Sequence, residues 1–240
     1  DIGLLRAESE RLNPGFISRM THGRPYLRVK LAASLDGRTA LANGESKWIT
    51  GEAARADVQR LRARSSAILT GIGTVLADDP SLTVRDFDIN RQPLRVVVDP
   101  QLRMRPAARM LTLPGATLVA TSEQHANAAA ALRAAGVDVL GLPVVSERIN
   151  LKLLLEQLAA REVNEVLVEA GATLCGELLS AGLVDELVLY LAPHLLGSGA
   201  RGLFNIPDLK DMADRIALDI QDVRAIGKGW RIIAKPKTSS

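Results

Sequence analysis

From residue 26 onward the chain is a series of short apolar runs separated by amphipathic stretches. "YLRVKLA" (26–32), "SAILT" (66–70), "PLRVVVD" (93–99), "ATLVAT" (116–121), "VDVLGL" (137–142), "EVLVEA" (165–170) and "DELVLYLAP" (185–193) are rich in Val, Ile and Leu and bounded by turn residues. Runs of this kind predict strands buried on both faces. Between them, helical spacing covers 51–65, 123–136, 150–162 and "ATLCGELLSAG" (172–182). Thr50 is the predicted N-cap of the first of these helices, Glu52 lies in its first turn, and Gly136 closes the second. The alternation predicts an α/β fold, a mainly parallel sheet with right-handed crossovers flanked by helices. The last stretch, "RIALDIQDVRAIGKGWRIIAKP", reads instead as two strands about a "GKG" turn, a C-terminal antiparallel hairpin on the sheet edge. Residues 1–24 predict a short helix, then "NPG" and the turn-rich "THGRP". The economical organisation is one α/β domain with a short N-terminal appendage.

Composition narrows the class without naming a function. With 47% hydrophobic and 24% charged residues over 240 positions, the chain can bury a sizeable core unaided. A single cysteine, Cys175, excludes an internal disulfide framework and points to a reducing, cytoplasmic location. Three histidines give no zinc spacing, so no metal is expected. A net charge of +3 and 3% aromatic content argue against nucleic acid as a partner. The absence of a long apolar run argues against a membrane span, and the polar start is not a signal peptide.

Ligands of such sheets bind at the carboxyl ends of the strands. In "VKLAASLDGRTALANGESKWIT" (29–50) a strand gives way to a long polar segment, 33–49, that ends near Trp48. Alternation puts Arg28 and Lys30 on one face and Val29 and Leu31 on the other, and a lysine within a buried strand needs a partner or a pocket. In "LTGIGTVLADDPSLTVR" (69–85) Gly71 and Gly73 permit close approach of a phosphate, while Asp78-Asp79-Pro80 forms a turn with Arg85 beyond it. In "VLVEAGATLCGELL" (166–179) a strand ends on Glu169, and Gly171 opens a helix whose N–H groups could face an anion. Arg55 and Arg62 share one side of helix 51–65, either as a solvated basic face or with an arginine fork reaching a phosphate. His22, His125 and His194 pair with no nucleophile, and Cys175 reads as a small packed side chain.

Taken in order, "VKLAASLDGRTALANGESKWIT", "ILTGIGTVLADDPSLTVR", "LVEAGATLCGELLSAGLVDELVLYLAP" and "LLG" closely resemble the reductase domain of the bifunctional, RibD-type riboflavin-biosynthesis deaminase–reductase, over about residues 24–235. The resemblance implies a dihydrofolate-reductase-like fold. It also implies NADPH-dependent reduction of 5-amino-6-(5-phosphoribosylamino)uracil to the ribitylamino product. By resemblance, Ser46, Arg62, Leu82, Arg85 and Glu169 match substrate positions. Ala32, Trp48, Thr74, Asp78 and the run Gly171, Ala172, Thr173, Leu174, Cys175, Gly176 and Glu177 match cofactor positions, with one more at Pro100. Lys30, Asp78 and Glu169 are the ionisable groups expected nearest the reacting carbon, as the catalytic set.

The resemblance also suggests what the appendage is. The zinc deaminase signature, H-x-E with P-C-x-x-C, is absent, and "AESERLNPGFISRMTHGRP" resembles the tail of that domain. Residues 1–24 are therefore expected to be the tail of a missing N-terminal deaminase domain, and 25–240 the reductase domain of a longer protein. A homodimer is expected from the family, with a strand edge near 185–193 available to serve it. Two other readings stay open: a pterin- or folate-type reductase of the same fold, and a non-catalytic nucleotide-binding module.

Overall fold

The computed structural model describes residues 3–46 and 49–237. Its strands are β1 (Tyr26–Ser34), β2 (Arg38–Ala40), β3 (Ala67–Gly71), β4 (Leu94–Val98), β5 (Thr117–Ser122), β6 (Asp138–Leu142), β7 (Val144–Val145) and β8 (Arg148–Ile149), followed by β9 (Glu165–Val168), β10 (Glu186–Ala192), β11 (Arg201–Gly202), β12 (Leu218–Ile226) and β13 (Gly229–Pro236). The helices are α1 (Arg6–Leu12), α2 (Pro14–His22), α3 (Glu52–Arg64), α4 (Ile72–Asp78), α5 (Glu123–Ala126), α6 (Ala130–Ala134), α7 (Leu151–Ala160) and α8 (Ala172–Ser180). One sheet runs in the order β12-β13-β10-β1-β9-β3-β4-β5-β6. From β10 to β6 every pairing is parallel, whereas β13 runs antiparallel to β10 and β12 antiparallel to β13. This is the predicted α/β architecture, with the predicted edge hairpin. The hairpin turns through Gly227, whose φ of 60° places it where a two-residue turn needs glycine.

The core divides between the two faces of the sheet. Leu27, Val29 and Leu31 of β1 pack with Leu154 and Leu158 of α7 and with Leu174 and Leu178 of α8. On the other face Ile68, Val97 and Leu167 pack with Val58 and Leu61 of α3 and with Val75 of α4. The alternation read for β1 therefore holds: Val29 and Leu31 go to the α8 face, and Arg28 and Lys30 to the α3 face.

Several expectations are corrected. α3 begins at Glu52 with Gly51 as N-cap, not Thr50, whose carbonyl accepts instead from the Arg55 guanidinium at 2.8 Å. The helix expected over 123–136 is broken into α5 and α6, and Arg133 Nη1 caps the carbonyl of Ala126 at 2.8 Å where the break falls. "NPG" does not end the first helix but starts a second, with Pro14 at the first helical position of α2. α2 docks on the domain: Arg19 Nε donates to Asn164 Oδ1 at 2.7 Å, and beyond it Arg24 grips Asp185 at 2.6 and 2.8 Å. α4 was not foreseen, because Gly71 and Gly73 hid the apolar anchors Ile72 and Val75. Segment 33–49 is more than a connector, since β2 within it pairs with β11. Strand β10 is not an edge, for it lies between β1 and β13; the outer strands are β12 and β6.

Helix α8 is held by a close backbone contact. The Asn205 N–H donates to the Ala172 carbonyl at 3.0 Å, and a Cβ added at Gly176 would collide with the Asn205 backbone. Gly176→Ala is therefore expected to destabilise the fold by about 1–3 kcal/mol in urea unfolding; unchanged stability would mean that segment 201–206 is not seated on α8.

Candidate active site

The connection leaving β1 runs to β3, on the far side of β9. The connection leaving β9 runs through α8 to β10, on the far side of β1. The loops diverge and leave a crevice over the carboxyl ends of β1 and β9, where α/β sheets of this kind take ligands. The paired register ends at Val29 opposite Val168, so Lys30 and Glu169 follow as neighbours at the floor of the crevice. The Glu169 N–H donates to the Leu69 carbonyl at 2.9 Å, which fixes its position against β3.

Arg62, in the last turn of α3, closes on Glu169 as a two-pronged fork. Nε donates to Oε1 at 2.6 Å and Nη2 to Oε2 at 2.9 Å, while Nη1 donates to the Thr83 carbonyl at 3.0 Å. Both side chains are close to 90% buried, with 12% and 11% exposure. Burial alone would push the Glu169 carboxyl up. The Arg62 charge and hydrogen bonds, together with Lys30 and Arg85, outweigh it and hold the carboxyl below its ordinary range. Lys30 is only partly covered by solvent exposure, yet its amine sits deep enough for desolvation to dominate. That, with Arg62 nearby, lowers its affinity for a proton, and Glu169 opposes the shift.

These groups form the floor of a cavity of about 940 Å3, a size suited to a small ligand site. Lys30, Asp78, Arg85 and Glu169 all line it. Of the residues matched to substrate, Ser46, Arg62 and Leu82 line it too. Leu82 is buried at a φ of 47°, an unusual backbone for a leucine. The following segment is clamped to Gln92, which accepts from the Val84 N–H at 2.8 Å and donates to its carbonyl at 2.9 Å. Of the residues matched to cofactor, Ala32, Thr74, Pro100, Gly171, Ala172, Thr173, Leu174 and Glu177 line the cavity. Trp48 lies outside the described residues.

Some assignments change. Cys175 and Gly176 do not line the cavity, because α8 turns them toward the core. The Cys175 thiol is fully buried, donates to the Ala170 carbonyl and is pushed up to about 12 by burial. Gly176 packs on Asn205. Asp78 stands exposed on the outer wall, and the charged neighbours that set the field at Lys30 are Glu169 and Arg62, not Asp78. Arg62 is bonded to Glu169, whereas Arg85 is exposed on the cavity wall, with no side-chain hydrogen bond or ion pair among the described residues.

Among the lining residues that were missed are three polar ones, Gln59, Arg148 and Arg201. Gln59, one turn before Arg62 on α3, accepts from the Arg85 N–H at 3.1 Å; helical spacing could have found it. Arg148 and Arg201 come from two-residue strands that leave no periodic signal. At the far wall, Gly171 is the N-cap of α8 and no side chain caps the helix, so its first-turn N–H groups are open to a ligand. A Cβ at Gly171 would meet nothing within 4 Å, which leaves room for a phosphate to approach the backbone.

The fold and site define a dihydrofolate-reductase-like α/β protein with a cavity of about 940 Å3 along one sheet rim. Residues 25–232 match the family described as the RibD C-terminal domain, and the chain belongs to that family. It is 46% identical over 237 residues to the riboflavin biosynthesis protein RibD of Escherichia coli (strain K12), covering 94% of this chain and 64% of that protein. It is 38% identical over 210 residues to the 2,5-diamino-6-ribosylamino-4(3H)-pyrimidinone 5′-phosphate reductase of Methanothermobacter thermautotrophicus, covering 85% of this chain and 95% of that one. Among solved structures, Acinetobacter baumannii RibD superposes with a TM-score of 0.86 at 40% identity, over 99% of this chain and 65% of that one. The chain thus spans about two thirds of the RibD proteins it matches.

The buried pair gives a stability test with a defined sign. A carboxyl held low when folded contributes stability that is full above its unfolded value of about 4.3 and fades as pH falls through the lower folded value. Glu169→Gln is expected to cost about 3–5 kcal/mol at pH 7, because it leaves Arg62 buried without its partner. In urea unfolding the difference from wild type should shrink in acid. A difference that stays constant with pH would show that Glu169 is not ionised in the fold.

Proposed function

We propose that the chain reduces the phosphoribosyl group of 5-amino-6-(5-phosphoribosylamino)uracil to the ribityl group, with NADPH as the reductant. The observation that carries this reading is the Lys30–Glu169–Arg62 cluster. It forms the floor of a single cavity with a free arginine, Arg85, on one wall and the uncapped start of α8 on the other. When bound, the reduced nicotinamide supplies a hydride. The chain's own residues do the rest.

Arg85 holds the substrate phosphate, and Ser46 with Gln59 offers polar contacts beside it. Glu169, fixed by Arg62, orients the open-chain sugar so that its C1 faces the α8 side. Lys30 keeps a proton at Nζ for the amine nitrogen that gains one as C1 is reduced. Its lowered proton affinity makes it a better donor than an ordinary lysine. Asp78 and Thr74 belong to the outer wall on the cofactor side. NADPH is preferred to NADH in this reading, and a pterin substrate is disfavoured because Arg85 asks for a phosphate. A free, buried Cys175 fits a reducing compartment, and we assign the protein to the cytoplasm. Among the described residues no helix is long and apolar enough to cross a membrane. Residues 1–24 are read as the connection to a deaminase domain; the exposed Leu12, Phe16 and Met20 on α1 and α2 support a further packing surface there.

A second copy of the chain is proposed as partner through the edge hairpin. An irregularity between Ile220 and Asp222 shifts the register of β12, so Ile220 and Val223 both face the side of Ile232 and Trp230. Ile220, Val223 and Trp230 are 60%, 51% and 50% exposed, an uncovered apolar stripe across the edge hairpin β12–β13. Val223→Asp combined with Trp230→Asp is expected to convert a dimer to a monomer in light scattering. A wild-type monomer, or a dimer that survives the change, would remove the hairpin from this role.

Catalysis is tested by mixing protein, NADPH and the pyrimidine anaerobically and following loss of the reduced-nicotinamide absorbance. Arg85→Ala is expected to raise the pyrimidine KM about ten- to hundredfold, the loss of one charged hydrogen-bond partner. The alkaline limb of kcat is expected below the ordinary lysine value of about 10.4 and should be lost with activity in Lys30→Met. NADPH binding without any oxidation would instead favour a non-catalytic nucleotide module.

A further inference from the structure

One ion pair on the cavity wall has no part in the reaction described above. Arg148 Nη1 donates to Glu177 Oε1 at 2.7 Å, and both residues line the cavity. The backbone fixes Arg148 from both sides. Before it, β7 and β8 form a tight hairpin through Ser146 and Glu147, at φ values of 49° and 62°. Such a turn matches the twist of the strands it joins, although neither residue is the glycine that adopts it most easily. After it, the Asn150 side chain caps α7 by accepting from the Leu153 N–H at 3.0 Å. The guanidinium itself is 62% exposed and bonds Glu177 through one nitrogen, which leaves further donors of the fork available.

The position of this pair relative to α8 gives it a meaning. Thr173 and Glu177 are four residues apart on one helix face, and both line the cavity. A step of one turn, about 5.4 Å, leads from the open N–H groups at Gly171–Thr173 to the ion pair. Ile149 and Leu151 form an apolar wall beside it. A dinucleotide with its diphosphate on the first turn of α8 would bring its second ribose toward Arg148 and Glu177, with the purine toward the apolar wall. Arginine and glutamate are the two side-chain types that distinguish a phosphorylated ribose 2′ position from a free hydroxyl.

We infer that Arg148 binds the 2′-phosphate of an adenosine 2′-phosphate-containing dinucleotide, and that Glu177 holds the guanidinium in place and competes with that phosphate for it. The inference rests on the reading that the α8 end of the cavity takes the nicotinamide dinucleotide. The carboxylate beside the arginine also offers an acceptor to an unphosphorylated ribose, so the preference between the two is moderate rather than absolute.

The test is direct binding of two fragments, adenosine 2′,5′-bisphosphate and adenosine 5′-diphosphate, by calorimetry, with no turnover required. Wild-type protein is expected to prefer the bisphosphate. Arg148→Ala should weaken the bisphosphate about ten- to hundredfold, the worth of a charged contact, and leave the diphosphate within about twofold. Glu177→Gln should tighten the bisphosphate and weaken the diphosphate, an opposite movement that a merely structural role for the pair would not produce. Because the Arg148 side chain is 62% exposed, Arg148→Ala should not lower Tm appreciably. Equal loss of both ligands in Arg148→Ala, no loss of either, or no binding of either fragment to wild type would overturn the inference. If the pyrimidine is reduced with NADPH while Arg148→Ala binds both fragments as wild type does, only the role of Arg148 fails. If Arg148 discriminates the fragments but no pyrimidine is reduced, only the proposed reaction fails.

Discussion

The site depends on a carboxylate kept ionised where burial opposes it. Glu169 leaves β9 into a crevice largely closed to solvent, and an isolated carboxyl there would take up a proton. The two-pronged bond from Arg62 prevents this, and the bond from Arg62 to the Thr83 carbonyl prevents the guanidinium from turning away. One arginine thereby joins the end of α3, the segment carrying Leu82 and Arg85, and the end of a central strand. The same bonds hold Arg62 at the wall of the cavity. Three of its five donors are used in this way, which fixes the orientation of the fork at the cavity wall, while Arg85 keeps its whole guanidinium exposed.

Topology explains why these groups meet. Residues 62 and 169 lie 107 positions apart, and Lys30 belongs to a third segment, yet β9 is inserted between β1 and β3 late in the chain. The insertion sets the start of α8 against floor groups contributed by β1 and by the loop after β9, with α3 on the opposite face. The arrangement gives two walls of different character over a common floor. One presents backbone N–H groups and small residues; the other presents side-chain cations and amides.

What could be read in advance follows from the range of the forces involved. The strands were legible because a strand buried on both faces must be apolar throughout, and the hairpin because a two-residue turn at Gly227 needs a positive φ. Lys30 was legible as an exception to its own strand. The partner of Arg62 was not, since nothing local to α3 encodes a carboxylate more than a hundred residues away; of the two arginines on that face, Arg55 is exposed while Arg62 is buried and neutralised. Helix α4 was lost behind glycines that serve close approach rather than chain breaking. Cys175 and Gly176 were included because a motif runs continuously along the sequence, whereas a helix shows a ligand only some of its residues. Arg148 and Arg201 had no signal, as strands of two residues carry no period.

The charges on the α3 face show what the crevice lacks. Arg28, 2% exposed, sits between two carboxylates, Glu165 and Glu186. Asp57, on the same face, accepts from both the Tyr190 hydroxyl and Arg231, at 2.7 and 2.8 Å. Each of these buried charges is answered within the protein. At the crevice the balance differs, for Lys30, Arg62 and Arg85 all bear on the single carboxylate of Glu169. Desolvation of its amine, with Arg62 nearby, lowers the hold of Lys30 on its proton, and Glu169 opposes that shift. In the reaction proposed above, the substrate phosphate would add its negative charge beside Arg85. Three cations gathered around one carboxylate are thus the feature that would favour an anionic substrate in the reaction proposed above.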